Sequence, residues 1–385
     1  MLPALDAAQR AQLAACRAAL LQLIAAHGGW LSFDEYLEQV LYAPGLGYYS
    51  AGAAKFGAAG DFVTAPEISP LFGACVARQC APLLGAGATL LELGAGSGAL
   101  AESVLYRLAS LGALPREYLI LEISGDLVVR QRARLAGLPA SLRQRIRWLD
   151  ALPPQPLRGV MLANEVADAL PFQCFTAAPA GFLERGVECT ADGELRWAER
   201  PAGSSLAAEL DRIEATLAAP FVPGFRSEVC PRLDAWIATL ATSLETGLLL
   251  LFDYGLGRGE LYHPQRDSGT LRCHYRHRAH ANPFLYPGLQ DVTAWVDFTR
   301  VAETASSAGL TVSGYSTQAA FLLASGIDQE LADASTVAAR ARLAAQAREL
   351  LMPGEMGETF KAMALTRGIE ASLTGFALQD LRRLL

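Results

Sequence analysis

The stretch "LLELGAGSGAL", residues 90–100, decides the fold of this chain. A short apolar run enters three glycines at alternate positions, Gly94, Gly96 and Gly98, and a helical pattern starts at Ala99. Glycines let the backbone turn tightly and approach a ligand, while the start of a helix offers free N–H groups. The motif also satisfies G-x-G-x-x-A, the dinucleotide fingerprint. It therefore predicts a nucleotide-type cofactor at the end of a strand.

The sequence on both sides of this motif alternates apolar runs with amphipathic stretches. Helical patterns cover 99–111 and 125–136. The apolar runs lie at 89–94, 118–123, 146–150, 159–165 and 247–255. Continuous apolar strands separated by helices indicate a parallel sheet that is covered on both faces. We therefore predict a doubly wound, Rossmann-like α/β sheet.

The alternation breaks after the fourth of these strands. Residues 174–200 predict two or three antiparallel strands with a turn at Asp192-Gly193, and helical stretches follow at 203–218 and 231–245. We take this part as a hairpin and helical insertion between strands 4 and 5. We expect a helical and loop extension at 1–68, the first part of the core at 69–171 and the insertion at 172–230. The second part of the core is expected at 231–385, with a substrate-side loop at 256–298.

Composition excludes several classes of protein. The formal charge of −7 over 385 residues argues against nucleic acid as the partner, because phosphate binding depends on Lys and Arg. Seven cysteines without a C-x-x-C pair fit free thiols in a reducing cytoplasm. The N-terminus lacks the pattern of a signal peptide, and no apolar run reaches membrane-spanning length. We expect a cytoplasmic protein without a membrane span, and the alanine-rich, lysine-poor composition suggests a bacterial source.

Polar side chains follow four of the predicted strands. Glu92 lies two residues before the first glycine, where it can help to fix the amino-acid end of S-adenosylmethionine (SAM). Glu122 ends the next strand and can bind both ribose hydroxyls, and Asp150 ends the third, where the adenine amino group would lie. Asn164 and Glu165 end the fourth. Together they favour SAM, although NAD enzymes also use an acid such as Glu122.

Six ordered motifs in this chain resemble the MidA family of class I SAM-dependent methyltransferases. They are "DFVTAPEISPLFG" (61–73), "LLELGAGSGAL" (90–100), "LEISGDLVVRQ" (121–131), "ANEVADALPF" (163–172), "LLLFDYG" (249–255) and "SGTLRCHYRHR…DVTAWVDFT" (268–299). The resemblance spans roughly residues 30 to 365. The chain departs from the family pattern at Ala95, where proline is common, and at Gly125, where the family has Ser-Pro.

The resemblance implies a class I methyltransferase fold, SAM as cofactor and a protein as methyl acceptor. The family includes the mitochondrial complex I assembly-factor arginine methyltransferase, so it implies an arginine acceptor, with a respiratory complex I subunit as one candidate. The predicted cofactor-binding residues are Glu92, Gly94, Ala95, Gly96, Ser97, Glu122, Ile123, Asp150, Ala151 and Asn164.

An arginine acceptor must be held by carboxylates, ideally in bidentate pairs. Glu165 is the leading candidate for binding the acceptor arginine, and Asp168 and Glu67 are further catalytic candidates. The alternative for Asp168 is capping of a following helix, and the alternative for Glu67 is a first-turn acid of the helix that begins near Ser69. Asp253, at the end of the fifth strand, either lines the acceptor pocket or caps a turn.

A basic stretch, "RCHYRHRAHANP" (272–283), places His274, His277 and His280 at three-residue intervals. On a strand this spacing sends successive side chains to opposite faces, and the interleaved arginines repel a divalent cation, so we predict no metal site. The family resemblance makes the stretch part of a substrate-side loop. There His277 either contacts the acceptor or braces the loop through bonds to backbone groups.

Two other functions stay open at this level. A non-catalytic assembly chaperone would keep the fold and the cofactor site without any chemistry, and an NAD-dependent enzyme would use the same glycine-rich turn. The oligomeric state has no sequence signal here, and a homodimer is one expectation.

Overall fold

A computed structural model describes residues 3–50, 63–85, 87–370 and 372–385. The first of the six motifs, at 61–73, therefore begins outside the described residues. The chain forms two compact units. The core unit comprises Val63–Ala167, Asp234–Gly255 and Phe298–Leu385, and the second unit comprises Met1–Phe62, Asp168–Leu233 and Leu256–Asp297.

Strands and helices alternate along the described chain. The strands are β1 (Trp30–Ser32), β2 (Thr89–Leu93), β3 (Glu117–Leu121), β4 (Ile146–Leu149), β5 (Leu157–Asn164), β6 (Gln173–Ala178), β7 (Gly181–Cys189), β8 (Leu195–Pro201), β9 (Arg226–Val229), β10 (Leu244–Leu256), β11 (Arg272–Tyr275), β12 (Arg278–His280), β13 (Asp291–Thr293), β14 (Val296–Asp297), β15 (Thr311–Thr317) and β16 (Phe360–Arg367). The helices are α1 (Ala7–Ala26), α2 (Phe33–Leu37), α3 (Ala65–Ile68), α4 (Pro70–Cys80), α5 (Ala99–Ser110), α6 (Gly125–Leu135), α7 (Ala140–Arg143), α8 (Ser204–Glu214), α9 (Arg232–Thr242), α10 (Arg258–Leu261), α11 (Phe298–Ser307), α12 (Gln318–Ala324), α13 (Ile327–Ala332) and α14 (Val337–Leu351).

The core unit is organised around a sheet with the strand order β4-β3-β2-β5-β10-β16-β15. Neighbours from β4 to β10 run parallel, whereas β16 runs antiparallel to both β10 and β15. When these seven strands are numbered in chain order, the sheet reads 3-2-1-4-5-7-6. The order reverses between β2 and β5, and ligands of open α/β sheets bind at such a switch point, outside the carboxyl ends of the strands. The predicted doubly wound sheet is confirmed.

The core strands are apolar along their whole length because both faces of the sheet are covered. All five residues of β2 are buried. Leu90 of β2 and Val160 of β5 belong to the same hydrophobic cluster as Val104 and Leu108 of α5. Each such side chain contributes roughly 2 kcal/mol to folding through the apolar surface it removes from water. This packing fixes the positions at which the strands end, and therefore the positions of the polar residues that follow them.

The second unit contains an antiparallel sheet of order β1-β7-β6-β9, with β8 paired to β7. Strands β6, β7 and β8 confirm the prediction for 174–200, and the turn between β7 and β8 has Gly193 at φ 81°. Strand β1 was not expected, since the N-terminal extension was predicted to contain helices and loops. It pairs with β7 through Trp30 opposite Glu188. Aromatic packing explains the strand, because Phe33 directly after it lies 4.6 Å from the ring of Trp197.

The segment predicted as a substrate-side loop, 256–298, contains short regular elements joined by irregular stretches. Strands β12, β11 and β13 form a small sheet in that order. The prediction of a loop is therefore wrong for 272–280 and 291–293, whereas 281–290 consists of turns and bends. Strands β11 and β12 form a hairpin whose two turn residues, Arg276 and His277, have φ 47° and 59°. Two-residue hairpin turns of this kind normally carry Asn-Gly or Gly-Gly, so the sequence gives no turn signal here.

No helix in the described ranges is long and apolar enough to cross a membrane.

Candidate active site

The glycine-rich turn after β2 is held in a conformation that other residues rarely adopt. Gly94, Gly96 and Gly98 have φ 62°, 53° and 85°. In this left-handed region a side chain crowds its own backbone, which costs roughly 1–2 kcal/mol per residue. Gly98 is the N-cap of α5, so the turn leads directly into the free N–H groups of a helix N-terminus. The turn thus presents backbone donors to a ligand, as the motif predicts.

Glu92 is a buried acid one residue before the end of β2. Its side chain is 3% exposed, and its Oε2 accepts a hydrogen bond of 2.6 Å from the hydroxyl of Tyr118 on β3. Burial raises the pKa of Glu92 to about 7, the Tyr118 hydrogen bond lowers it, and the nearby Glu122 carboxylate raises it further. A cationic group beside Glu92 would stabilise its charged form. This fits the predicted role of Glu92 at the amino-acid end of SAM.

Glu122 follows β3 and is 8% exposed. Its Oε1 accepts the backbone N–H of Ser124 at 3.0 Å, and its Oε2 accepts the side-chain amide of Gln131 at 3.0 Å. The hydroxyl of Ser124 is buried without a hydrogen-bond partner among the described residues. A buried polar atom of this kind is expected where a ligand completes the bonding.

The carboxyl ends of β3 and β4 carry exposed residues from the predicted set. Ile123 is 72% exposed, which is unusual for an isoleucine, and it lies next to Glu122 in the chain. Asp150 and Ala151 are exposed just after β4. An apolar side chain beside exposed polar groups is the surface that a purine base covers in a nucleotide site. The positions of these three residues are compatible with their predicted roles as cofactor-binding residues, with Asp150 at the adenine.

Asn164 and Glu165 end β5, next to the glycine-rich turn across the switch point. Glu165 has φ 54°, and the other positive-φ non-glycine residues in the described ranges are the two at the hairpin turn. Its N–H donates to the carbonyl of Phe252 at 2.8 Å, and its Oε1 accepts from Asn164 Nδ2 at 3.1 Å and from the N–H of Ala65 at 3.4 Å. Strained residues of this type cluster at active sites, where surrounding bonds hold them.

Asp253 holds the chain just after Glu165. It is 2% exposed on β10, and its Oδ2 accepts the backbone N–H of Ala167 at 3.0 Å. Its Oδ1 accepts the N–H of Tyr254 at 3.0 Å. Asp253 thus caps the turn at Ala167, as the alternative predicted, but it is buried within β10 rather than exposed at the end of the strand. Its bond to Ala167 helps to keep Glu165 in the left-handed conformation.

Glu67 lies in the first turn of α3 and is mostly buried, with 15% of its side chain exposed. Its Oε1 accepts hydrogen bonds from the hydroxyl of Ser97 in the glycine-rich turn and from Arg134 Nη1, the latter at 3.1 Å. Arg134 also pairs with Glu102 at 2.7 Å. The alternative, a first-turn acid of the helix that begins near Ser69, is wrong, because that helix is α4 and Glu67 lies before its N-cap, in the separate one-turn helix α3. The structure instead gives Glu67 a direct connection to the glycine-rich turn.

The other two catalytic candidates, Asp168 and His277, belong to the second unit. Asp168 is 7% exposed and lies in a turn that leads into β6, so the helix-capping alternative is wrong. His277 is exposed at the hairpin turn and makes no hydrogen bond to any described residue, so the bracing alternative is also wrong. No group of His, Cys, Asp and Glu within the described ranges could hold a metal ion. Contacts of Asp168 and His277 with an acceptor stay predictions.

The residues at the edge of the core sheet fit SAM. The left-handed glycines form a backbone turn at the end of β2, and Glu122 lies at the end of β3, where its ribose contact is predicted. Two buried polar atoms, Ser124 Oγ and Asn164 Oδ1, have no partner among the described residues. The 3-2-1-4-5-7-6 sheet with this edge defines a class I SAM-dependent methyltransferase.

Comparison with known proteins supports the same class. Residues 75–316 match the model of a family described as "Putative S-adenosyl-L-methionine-dependent methyltransferase". The chain belongs to this family, the MidA family that the sequence motifs indicate. A similar crystal structure is that of a Burkholderia thailandensis protein bound to S-adenosyl-homocysteine (SAH), with 43% identity, full coverage of both chains and a TM-score of 0.94. A native structure from the same organism has 41% identity, full coverage and a TM-score of 0.91. SAM is therefore the cofactor, and the NAD alternative is wrong.

Curated relatives extend over most of the chain. "Protein arginine methyltransferase NDUFAF7, mitochondrial" of Danio rerio is 30% identical over 368 residues, which cover 86% of this chain and 82% of the relative. The Homo sapiens protein of the same name is 29% identical over 371 residues, covering 88% and 80%.

Three residues of this edge were not predicted: Tyr118, Gln131 and Trp148. Each had a signal in the sequence. Gln131 interrupts the apolar stripe of α6, between Leu127 and Leu135, and a polar residue in such a stripe usually has a bonded partner. Tyr118 and Trp148 lie on the strands adjacent to predicted ligands, but their contacts depend on strand register, which the sequence does not give.

Proposed function

We propose that this methyltransferase modifies an arginine side chain of a protein, and that Glu165 holds the guanidinium of the acceptor. The observation that carries the proposal is the strained, left-handed backbone of Glu165 at the switch point of the sheet. Backbone strain is maintained there by bonds to Phe252 and by the tie between Asp253 and Ala167. A carboxylate fixed in this way beside a SAM site can bind a planar cation in one orientation.

The chemistry assigns Glu165 two tasks. Bound SAM supplies an electrophilic methyl group on a sulfonium. An ω-nitrogen of the acceptor forms the new N–C bond while the C–S bond breaks and leaves its electron pair on sulfur, which gives SAH. The nitrogen then has one proton in excess. Glu165 aligns the guanidinium for in-line transfer and accepts that proton, so positioning supplies most of its effect.

Glu67 is the second carboxylate in this proposal. It already binds a guanidinium, that of Arg134, through Oε1. This bond shows that its environment tolerates a planar cation. The names of the curated relatives, which are protein arginine methyltransferases, support arginine as the acceptor residue. A respiratory complex I subunit is the first acceptor to test, since the family resemblance implies it.

The test uses methyl-labelled SAM and an extract from cells that lack this gene, so that acceptor sites are unmodified. The wild-type protein should label at least one extract protein. Glu165→Gln, which keeps the size of the side chain, should lower the rate of labelling by about 100-fold while the Kd for SAH stays close to that of the wild type. Glu355→Gln, at an exposed position of the same unit, is the control and should label at the wild-type rate.

The alternative hypothesis, a non-catalytic assembly chaperone, leads to a different expectation for the labelling experiment. It predicts SAH binding by the wild-type protein with no label transferred to any extract protein. Equal labelling by the wild type and Glu165→Gln would remove Glu165 from the proposal while leaving methyl transfer in place.

A further inference from the structure

Gln131 is a fully buried polar residue on an otherwise apolar face of α6. It is 0% exposed, and the buried residues of this helix are Leu127, Gln131 and Leu135, one turn apart. Burying an amide without hydrogen-bond partners destabilises a folded protein, so the bonds of Gln131 explain why it is there. None of the cofactor roles described above includes it.

The amide of Gln131 is bonded at both ends. Its Nε2 donates to the carbonyl of Gly96 at 3.0 Å and to Glu122 Oε2 at 3.0 Å, and its Oε1 accepts from the indole N–H of Trp148 at 3.0 Å. These partners determine which side-chain atom of Gln131 is the nitrogen and which is the oxygen. An indole N–H only donates, whereas a carbonyl and a carboxylate only accept, so the reversed amide would lose all three bonds.

These bonds join three separate parts of the cofactor edge. Gly96 belongs to the glycine-rich turn, Glu122 ends β3, and Trp148 lies on β4, two residues before Asp150. The other oxygen of Glu122 is bonded to the N–H of Ser124. These bonds from Gln131 and Ser124 help to set the plane of the Glu122 carboxylate before any ligand arrives. Preorganisation of this kind raises affinity because fewer groups must be ordered on binding.

We infer that Gln131 is a positioning residue of the cofactor site, which acts by holding the Glu122 carboxylate in the orientation that receives the two ribose hydroxyls. Gln131 itself touches no part of the cofactor in this role. The inference rests on the predicted ribose contact of Glu122. It is independent of the identity of the acceptor, because binding of SAH requires none.

Gln131→Met tests this role with little change in shape, since methionine keeps the length of the side chain and removes its donors and acceptor. The Kd for SAH should rise by about 10-fold, the usual loss when a hydrogen bond to a charged group disappears. The ribose is remote from the transferred methyl, so the lost binding is the same in ground and transition states. The KM for SAM should rise and kcat should stay unchanged.

The readout that separates positioning from general support is selectivity for the ribose hydroxyls. The wild type should bind SAH more tightly than its 2′-deoxy analogue, and this preference should shrink in Gln131→Met as it does in Glu122→Gln. A merely structural role would weaken both ligands by the same factor. Gln144→Met, at an exposed position after α7, is the matched control and should keep both affinities.

Two further variants keep the test decisive. Trp148→Phe replaces the indole by a phenyl ring and so removes the donor to Gln131 Oε1. Like Gln131→Met, it should reduce the preference for SAH over the 2′-deoxy analogue. The double variant Glu122→Gln/Gln131→Met should be no weaker than Glu122→Gln alone, because Gln131 acts through Glu122. Additive losses, or an unchanged preference in a folded Gln131→Met protein, would overturn the inference.

Discussion

The buried acid Glu92 makes the stability of the core unit depend on pH. Its pKa is raised from 4.5 to about 7, because burial disfavours the charged carboxylate more than the Tyr118 hydrogen bond favours it. The folded protein therefore binds this proton more tightly than the unfolded chain does. The resulting stabilisation is fully present below pH 4.5 and is lost as the pH rises through 7. A shift of this size corresponds to about 3 kcal/mol of unfolding free energy.

Replacement of Glu92 by Gln removes the titrating group and keeps its volume. At pH 5, half a unit above the unfolded-state pKa, the variant should be more stable by no more than about 1 kcal/mol. At pH 8 the variant should be more stable by about 3 kcal/mol, since the wild type then buries a charge and the variant does not. The measurement is urea unfolding, followed by circular dichroism, at several pH values between 5 and 8. The difference in unfolding free energy between the two proteins at each pH cancels the contribution of every titrating group that they share.

The exposed acid Glu355 provides the control, and Glu355→Gln should give a difference from the wild type that is constant with pH. A flat difference for Glu92→Gln as well would refute the reasoning. A variant that loses stability toward pH 8 would refute it too, because the charged carboxylate would then be the stabilising form.

Two other consequences follow from the backbone. Gly98→Ala should lower the unfolding free energy by about 1–2 kcal/mol, because alanine is strained at φ 85°. A steric clash contributes little, since the atom nearest to the new Cβ is 3.5 Å away. Thermal unfolding measures the effect, and an unchanged midpoint would contradict the prediction. His277→Gly should raise the unfolding free energy by about 1 kcal/mol, since φ 59° suits glycine. If that variant is more stable and labels extract proteins more slowly, His277 contacts the acceptor; equal labelling would exclude this contact.

Sequence patterns predict the core unit well because its signals are local. The apolar runs of β2, β3 and β5 have no alternation, which is characteristic of strands covered on both faces, and glycines mark the turn after β2. The helix Ala7–Ala26 likewise begins at a local signal, a capping box formed by Asp6 and Gln9. In such places the physical cause of the structure lies within a few residues of the chain.

The interactions that sequence patterns did not predict join segments that are distant in the chain or lack a local signal. Strand β1 forms only because β7, more than 150 residues later in the chain, offers an edge to pair with. The hairpin at Arg276 and His277 lacks the turn residues that normally mark one, so the packing of its strands outweighs local preference. The bonds of Gln131 likewise depend on how α6 lies against two strands. Register and helix packing, rather than residue type, decide these cases.

Identification of the methylated residue tests the central claim most directly. Extract proteins labelled by the wild-type enzyme and methyl-labelled SAM would be hydrolysed to amino acids and separated. Our account predicts that the label is recovered as ω-N-methylated arginine and that Glu165→Gln abolishes most of it. Label recovered in another amino acid would contradict arginine as the acceptor, and no label in protein from an enzyme that binds SAH would contradict protein methylation itself.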